Sequence, residues 1–184
     1  MSDLHGLHLE LPGKKRKDSF LAMAEEFHQA GETGWPHGAW KEDPAAMEDF
    51  AAFLQREADW REGRNLPEGY VPGITWWMMD GQVVLGTAQL RLERNDHLLN
   101  YGGHIGYCIR PSQRRKGYMK RLLPLVLDAA ARLGIDKVLV TCGMQNVGSA
   151  RVIESAGGVF EDARTDPARD KTLRRYWVDL AGRG

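Results

Sequence analysis

Residues Gly102–Leu123 read GGHIGYCIRPSQRRKGYMKRLL, and this stretch decides the fold. His104–Ile109 has the composition of a strand, approached through Gly102-Gly103 and interrupted by Gly106. Glycine inside a strand weakens it and marks a bulge or a close approach by a ligand or another backbone. Pro111–Lys116 is a short basic loop. Beyond it Met119, Leu122, Leu123, Val126, Leu127, Ala130 and Leu133 fall at steps of three and four, the stripe of a long helix stopped by Gly134. Pro124 inside that helix denies Lys120 its backbone partner, which predicts a bend rather than a break. A strand, a loop carrying Arg114, Arg115, Lys116 and Gly117, and a helix start together make an anion-binding arrangement. Unpaired N–H groups point out of the first helical turn, and the helix dipole adds positive potential. Neither the G-x-x-x-x-G-K-S/T phosphate loop nor the G-x-G-x-x-G dinucleotide turn is present. The pattern by itself fits a solvated basic turn equally well.

Towards the N-terminus, Leu7, Leu9 and Leu11 alternate with His8 and Glu10, a short strand ended by Pro12-Gly13. The run Lys14–Lys17 reads as a solvated helix end, leading into a helix with Phe20, Ala24 and Phe27 on one face and Gly31 at its close. After a loop over Glu32–Glu42, Asp43-Pro44 supplies a cap and a first helical position. Met47, Phe50, Ala51, Leu54 and Ala58 are the expected buried stripe of that second helix. Asn65–Gly73 is loop. Ile74–Met79, the turn Asp80-Gly81 and Gln82–Glu93 form a hairpin, with Trp76 and Trp77 on opposite faces, followed by a polar connection over Arg94–Asn100. On the C-terminal side, Lys137–Thr141 is a buried strand and Asn146–Ala156 a short helix stopped by Gly157-Gly158. Val159–Asp162 and Thr172–Leu180 are the last two strands. The order β-α-α-β-β-β-α-β-α-β-β predicts an α/β (α+β) chain, a mixed sheet with helices packed on it.

The chain has 184 residues, enough for one domain with one hydrophobic core. Lys plus Arg number 25 against 25 Asp plus Glu, so the net charge of zero speaks against a surface built wholly for nucleic acid. Cys108 and Cys142 form no metal or disulfide pattern, and two lone thiols fit a reducing, cytoplasmic setting with no metal. His5 and His8 lie three apart on a strand and therefore face apart, which does not suit a metal pair. The basic cluster follows the first apolar stretch, the wrong order for a secretory signal. No apolar run is long enough to span a bilayer, so neither membrane nor nucleic acid is an expected partner.

Ile109 followed by Arg114-Arg115-Lys116-Gly117-Tyr118-Met119 resembles motif A of the GNAT superfamily of acyl-CoA-dependent N-acyltransferases, which ends in R/Q-x-x-G-x-G/A. The stretch from Asn146 through Ser149, Ile153 and Gly157 to Gly158 is similar to the motif B helix of that family. The wider sequence looks like a bacterial subgroup of acetyltransferases. The resemblance implies a mostly antiparallel central sheet of about seven strands flanked by about four helices, with splayed parallel strands at the cofactor cleft. It implies a single domain over 1–184, with 1–73 on the acceptor side and the hairpin and acyl-CoA-binding core over 74–184. Backbone N–H groups from Arg114 to Met119, through Arg115, Lys116, Gly117 and Tyr118, would hold the CoA pyrophosphate, and the basic side chains would add charge. Tyr107 and Ile109 would pair with the pantetheine arm and polarise the thioester carbonyl. Asn146, with Ser149 close behind it, would sit beside the pantetheine; a plain helix cap is an equally good and compatible role for Asn146.

The chain departs from the family pattern at Met119, where a small residue is usual, and at Ile153, where a tyrosine acid often stands. Tyr107 and Tyr118 are the candidate substitutes for that acid. Amine attack on a thioester needs a proton acceptor. His104, beside Gly103 where relatives carry a glutamate, is the candidate base because imidazole titrates in the useful range, with Glu93 and Asp96 as runners-up. The expected reaction is direct transfer of acetyl from acetyl-CoA to a primary amine. Family analogy alone favours a small-molecule amine over a protein amine. A non-catalytic acyl-CoA-binding protein is the alternative, and a nucleic-acid adaptor the remote third. A homodimer is compatible with the sequence if Thr172–Leu180 lies on a sheet edge.

Overall fold

The computed structural model describes residues 6–32 and 49–183. The expectations placed on His5, on the loop at 33–42, on the helix start Asp43-Pro44 and on Met47 lie outside those residues. The strands and α-helices run β1 (Leu7–Glu10), α1 (Lys17–Gln29), α2 (Phe50–Arg61), β2 (Gly73–Asp80), β3 (Val83–Arg91), β4 (Ile105–Ile109), α3 (Tyr118–Arg132), β5 (Lys137–Gly143), α4 (Val147–Ser155), β6 (Gly158–Asp166) and β7 (Lys171–Asp179). This is the order the hydrophobic periodicities predict. The strands hydrogen-bond in the order β1-β2-β3-β4-β5-β7-β6. β1 with β2, β5 with β7 and β6 with β7 are antiparallel, while β4 with β5 is parallel, with Ile105 opposite Val140. The fold is thus mixed α/β with a mostly antiparallel sheet of seven strands. β7 lies between β5 and β6, so the final strand is not an edge that could pair with a second copy; the edge strands are β1 and β6. Among the described residues no helix is long and apolar enough to cross a membrane.

Two compact units make up the chain, Met1–Gln89 with Tyr107–Tyr118, and Leu90–Gly106 with Met119–Gly184. The first is built on an aromatic core. Phe20 of α1 stacks on Trp77 at 4.8 Å and on Phe53 at 5.4 Å, and Met23, Phe27, Phe50, Met79 and Val84 complete the cluster. The α2 stripe differs from expectation: Phe50, Phe53 and Glu57 are buried and Ala51 is exposed. Asp49 caps this helix by accepting from the N–H groups of Ala51 and Ala52, and at about 3.6 residues per turn Phe50, Phe53 and Glu57 share one face from which Ala51 is turned away. The hairpin turn is Gly81-Gln82, one residue later than predicted, because Asp80 is kept in β2 by its place opposite Leu7 of β1. Arg16, from the run read as a solvated helix end, is buried and bonded to Glu10 and Gln82.

The second unit buries the predicted α3 stripe from Met119 to Ala130, together with Val138, Leu139 and Val140 of β5 and Ala150 and Ile153 of α4. Leu133 is the exception: α3 ends at Arg132 and leaves Leu133 half exposed. Pro124 lies inside α3 without ending it. The connection before β4, read as merely polar, contains a π-helical turn over Leu98–Gly102.

Candidate active site

In the first unit, the chain leaves β4 at Ile109 and crosses to α3 through a short 3-10 turn, Pro111–Gln113. Arg115 then adopts φ +61° and Gly117 φ +79°, both in the left-handed region. The left-handed backbone at Arg115 costs about 1 kcal/mol, the kind of strain that collects at ligand sites. A Cβ at Gly117 would meet nothing within 4 Å, so glycine is there for its φ and for the open approach it leaves. Arg115, Lys116 and Gly117 are exposed, and directly after them begins the fifteen-residue α3.

The cations of the loop differ in their commitments. Arg114 makes a two-pronged ion pair with Glu32, donates from Nε to the Ile109 carbonyl at 2.9 Å and lies 5.3 Å from the Phe27 ring centre. The Glu32 bond raises the Arg114 pKa, and the same bond lowers that of Glu32. Lys116 donates only to Gln113, at 3.0 Å, and Arg115 has no hydrogen-bond or ion-pair partner among the described residues. Arg115 and Lys116 are therefore the loop's available charges, and Arg114 is a strap. Tyr118 donates its hydroxyl to Asp80 at 3.2 Å.

In the second unit, Gly102, Gly103 and His104 form the approach to β4. Gly103 has φ +66°, and a Cβ there would come within 2.7 Å of the Leu139 carbonyl oxygen. His104 donates its N–H to that carbonyl, while Leu139 donates its own N–H to the His104 ring at Nδ1, both at 2.7 Å. The ring is only 4% exposed. Burial, aided by the charges of Arg94 and Arg91, pushes its pKa down to about 4. Arg91 in turn donates to the carbonyls of Gly102 and Gly103. With its Nδ1 lone pair spent on a backbone N–H, the neutral His104 ring carries its proton on Nε2 and is a donor there. This geometry makes His104 a substitute rung at the start of the β4–β5 ladder. It does not suit the expected role of base. The runners-up Glu93 and Asp96 are exposed.

α4 begins at an N-cap, as Asn146 permits: its side chain accepts from the Ser149 N–H at 3.0 Å. Ile153 is fully buried, and a Cβ on Gly158 would meet its carbonyl oxygen at 2.8 Å, so this position of the helix faces packed backbone. Among the described residues no group of three or more His, Cys, Asp or Glu could hold a metal ion. The Cys108 and Cys142 thiols are unpaired by disulfide, and burial pushes both pKa values up.

A family model for the acetyltransferase (GNAT) domain matches residues 15–159, which includes the basic loop and the capped α4. The chain belongs to the GNAT acetyltransferase family. It is therefore an acyl-CoA-dependent acetyltransferase. No curated protein matches it by sequence. Solved structures resemble this acetyltransferase in fold at low identity. The ribosomal L7/L12 alpha-N-protein acetyltransferase RimL, in complex with coenzyme A, has a TM-score of 0.69 at 15% identity, covering 95% of this chain and 94% of that one. The microcin C7 self-immunity acetyltransferase MccE, with acetyl-CoA and AMP, has a TM-score of 0.66 at 13% identity, covering 95% and 92%. A spermidine N-acetyltransferase chimera from Vibrio cholerae SpeG and hSSAT has a TM-score of 0.63 at 15% identity, covering 96% of each chain.

Within the first unit of this GNAT chain, the structure gathers Tyr107, Ile109 and Arg114 to Tyr118 along one continuous segment, the end of β4 and its loop. Met119 instead turns its side chain into the core of the second unit, leaving only its backbone to a ligand. Glu26 and Ser112 belong to no motif, yet Glu26 accepts from the Ser112 N–H. Their bond joins residues 86 apart, and no local pattern announces it.

Proposed function

We propose that this GNAT chain is an N-acetyltransferase that moves the acetyl group of acetyl-CoA to a primary amine by direct attack in a ternary complex. The observation that carries the reading is the left-handed loop Arg114–Gly117 with its two available cations immediately before α3. N–H groups of the loop and the first turn of α3, from Arg114 to Met119, would hold the pyrophosphate, with Arg115 and Lys116 supplying charge. Backbone of β4 at Tyr107 and Ile109 would align the thioester, and Asn146 and Ser149 at the start of α4 would contact the pantetheine. In the reaction the amine nitrogen bonds to the carbonyl carbon and the C–S bond breaks. The amine loses a proton, and the departing thiolate gains one. Because His104 is neutral and occupied, Glu93 and Asp96 are the carboxylates to test as proton acceptor, and Tyr107 is the candidate acid. Two unpaired thiols support a cytoplasmic setting.

The buried Ile153 favours a second reading, a non-catalytic acyl-CoA-binding protein. Two measurements separate the readings. Acetyl-CoA should raise the melting temperature, since it binds the native state. A panel of amines that includes a polyamine and a peptide with a free N-terminus should then contain at least one that accelerates thiol release. Stabilisation without acceleration by any amine selects the binding protein. Absence of stabilisation overturns both.

A further inference from the structure

The loop assigned above to the pyrophosphate is mounted on α1, and the mount is one carboxylate. Glu26 Oε1 accepts from Arg110 Nε at 2.9 Å, from Arg110 Nη2 and from Ser112 Oγ at 3.0 Å, while Oε2 accepts from the Ser112 backbone N–H at 3.0 Å. Arg110 is the first residue after β4, and its own N–H donates to Leu85 while Nη1 donates to the Val84 carbonyl. Glu26 thus grips the residue before the turn that launches the loop and the middle of that turn, and the Arg114–Glu32 pair ties down the first residue of the loop. Burial alone would raise the Glu26 carboxyl, yet the hydrogen bonds of Arg110 and Ser112 bring it down to about 2, so it is ionised throughout the working pH range.

We propose that Glu26 is a positioning residue for the acyl-CoA pyrophosphate, presetting through Arg110 and Ser112 the loop whose N–H groups receive that anion. The inference rests on the function proposed above. It assigns part of the N-terminal segment 1–73, expected from sequence to serve the acceptor, to the cofactor. A preset loop does not have to be ordered when the ligand arrives, and that saved ordering cost appears as affinity. Glu26 is four hydrogen bonds from being free and makes no direct claim on the ligand, so its effect must pass through loop geometry.

The test uses two ligands titrated calorimetrically into the wild type, Glu26→Gln and Ser112→Ala: acetyl-CoA, and S-acetylpantetheine, which lacks the pyrophosphate and the phosphorylated adenosine attached to it. Glu26→Gln keeps the side-chain shape and removes the charge-assisted bonds; acetyl-CoA affinity should fall on the order of tenfold, with S-acetylpantetheine unchanged. Ser112→Ala removes one hydroxyl and should weaken acetyl-CoA about threefold, again without touching the shorter ligand. Wild-type affinity in both variants overturns the proposal, and so does an equal loss for the two ligands, which would mark Glu26 as a support of the fold only. If Glu26→Gln does not fold, the Ser112→Ala ratio decides. A wild type that binds no acetyl-CoA at all overturns the function itself, a result distinct from wild-type binding preserved in the variants.

Discussion

The segments on either side of β4 look alike in sequence and are opposite in chemistry. Gly102–His104 and Arg114–Gly117 both join glycine to basic residues, and both hold a glycine at positive φ. Before the strand, the polar groups of Gly103 and His104 are buried and taken. Arg91 caps two carbonyls, Arg175 a third at Leu99, and His104 closes on Leu139. After the strand, two cations and a run of backbone stay exposed. Residue type does not decide which glycine-basic segment stays open to an anion; the satisfaction of its hydrogen bonds does.

The largest expected effect tests that contrast at its two glycines. Gly103→Ala adds a Cβ 2.7 Å from the Leu139 carbonyl at a strained φ and should cost about 2–4 kcal/mol of stability, read by denaturant unfolding. Gly117→Ala meets open space, should cost only about 1 kcal/mol, and should instead weaken acetyl-CoA binding. A Gly117 variant as unstable as the Gly103 one would erase the distinction.

Acid should strike the two regions in separate windows. His104 has a folded pKa of about 4 against 6.5 for the free group, so the unfolded chain binds the extra proton between those values. Its contribution is complete above pH 6.5 and lost as pH falls towards 4, on the order of 3 kcal/mol. Glu26 is also depressed, from 4.5 to about 2, so its share is present above pH 4.5 and lost only below. His104→Asn, whose amide oxygen can accept from Leu139, should flatten the first window and leave the second. An unchanged slope between pH 6.5 and 4 would show that His104 is not the titrating group. The smallest effect belongs to the exposed cations: Arg115→Gln with Lys116→Gln should leave stability within about 0.5 kcal/mol. The same pair should weaken acetyl-CoA several-fold and reduce its sensitivity to salt.

Element order was legible because helix and strand periods are local: the α3 stripe and the hairpin need no more than a dozen neighbouring residues. A boundary slipped where a distant partner intervened, as β1 does at Asp80. Of the candidate site, the motifs point to the loop and to Asn146 but do not rank the loop's cations. Arg114 is neutralised by Glu32, 82 residues away, and His104 is occupied by a backbone N–H 35 residues on. Composition offers such residues as free, and only the fold shows them taken.

The register of β6 against β7 steps from Phe160 opposite Tyr176 to Asp162 opposite Arg175, leaving Glu161 as an extra residue in the strand at the sheet's end. Arg175, 2% exposed, holds Glu161 and Asp162 together at 2.7 and 2.6 Å and so pins that bulge in place. With Val159 and Phe160 turned outward, a straight β6 would offer a sticky, evenly spaced row of N–H and C=O groups to any passing strand. The pinned bulge breaks that spacing, so the same arginine that props up the interior also makes this edge a poorer template for fibrous growth.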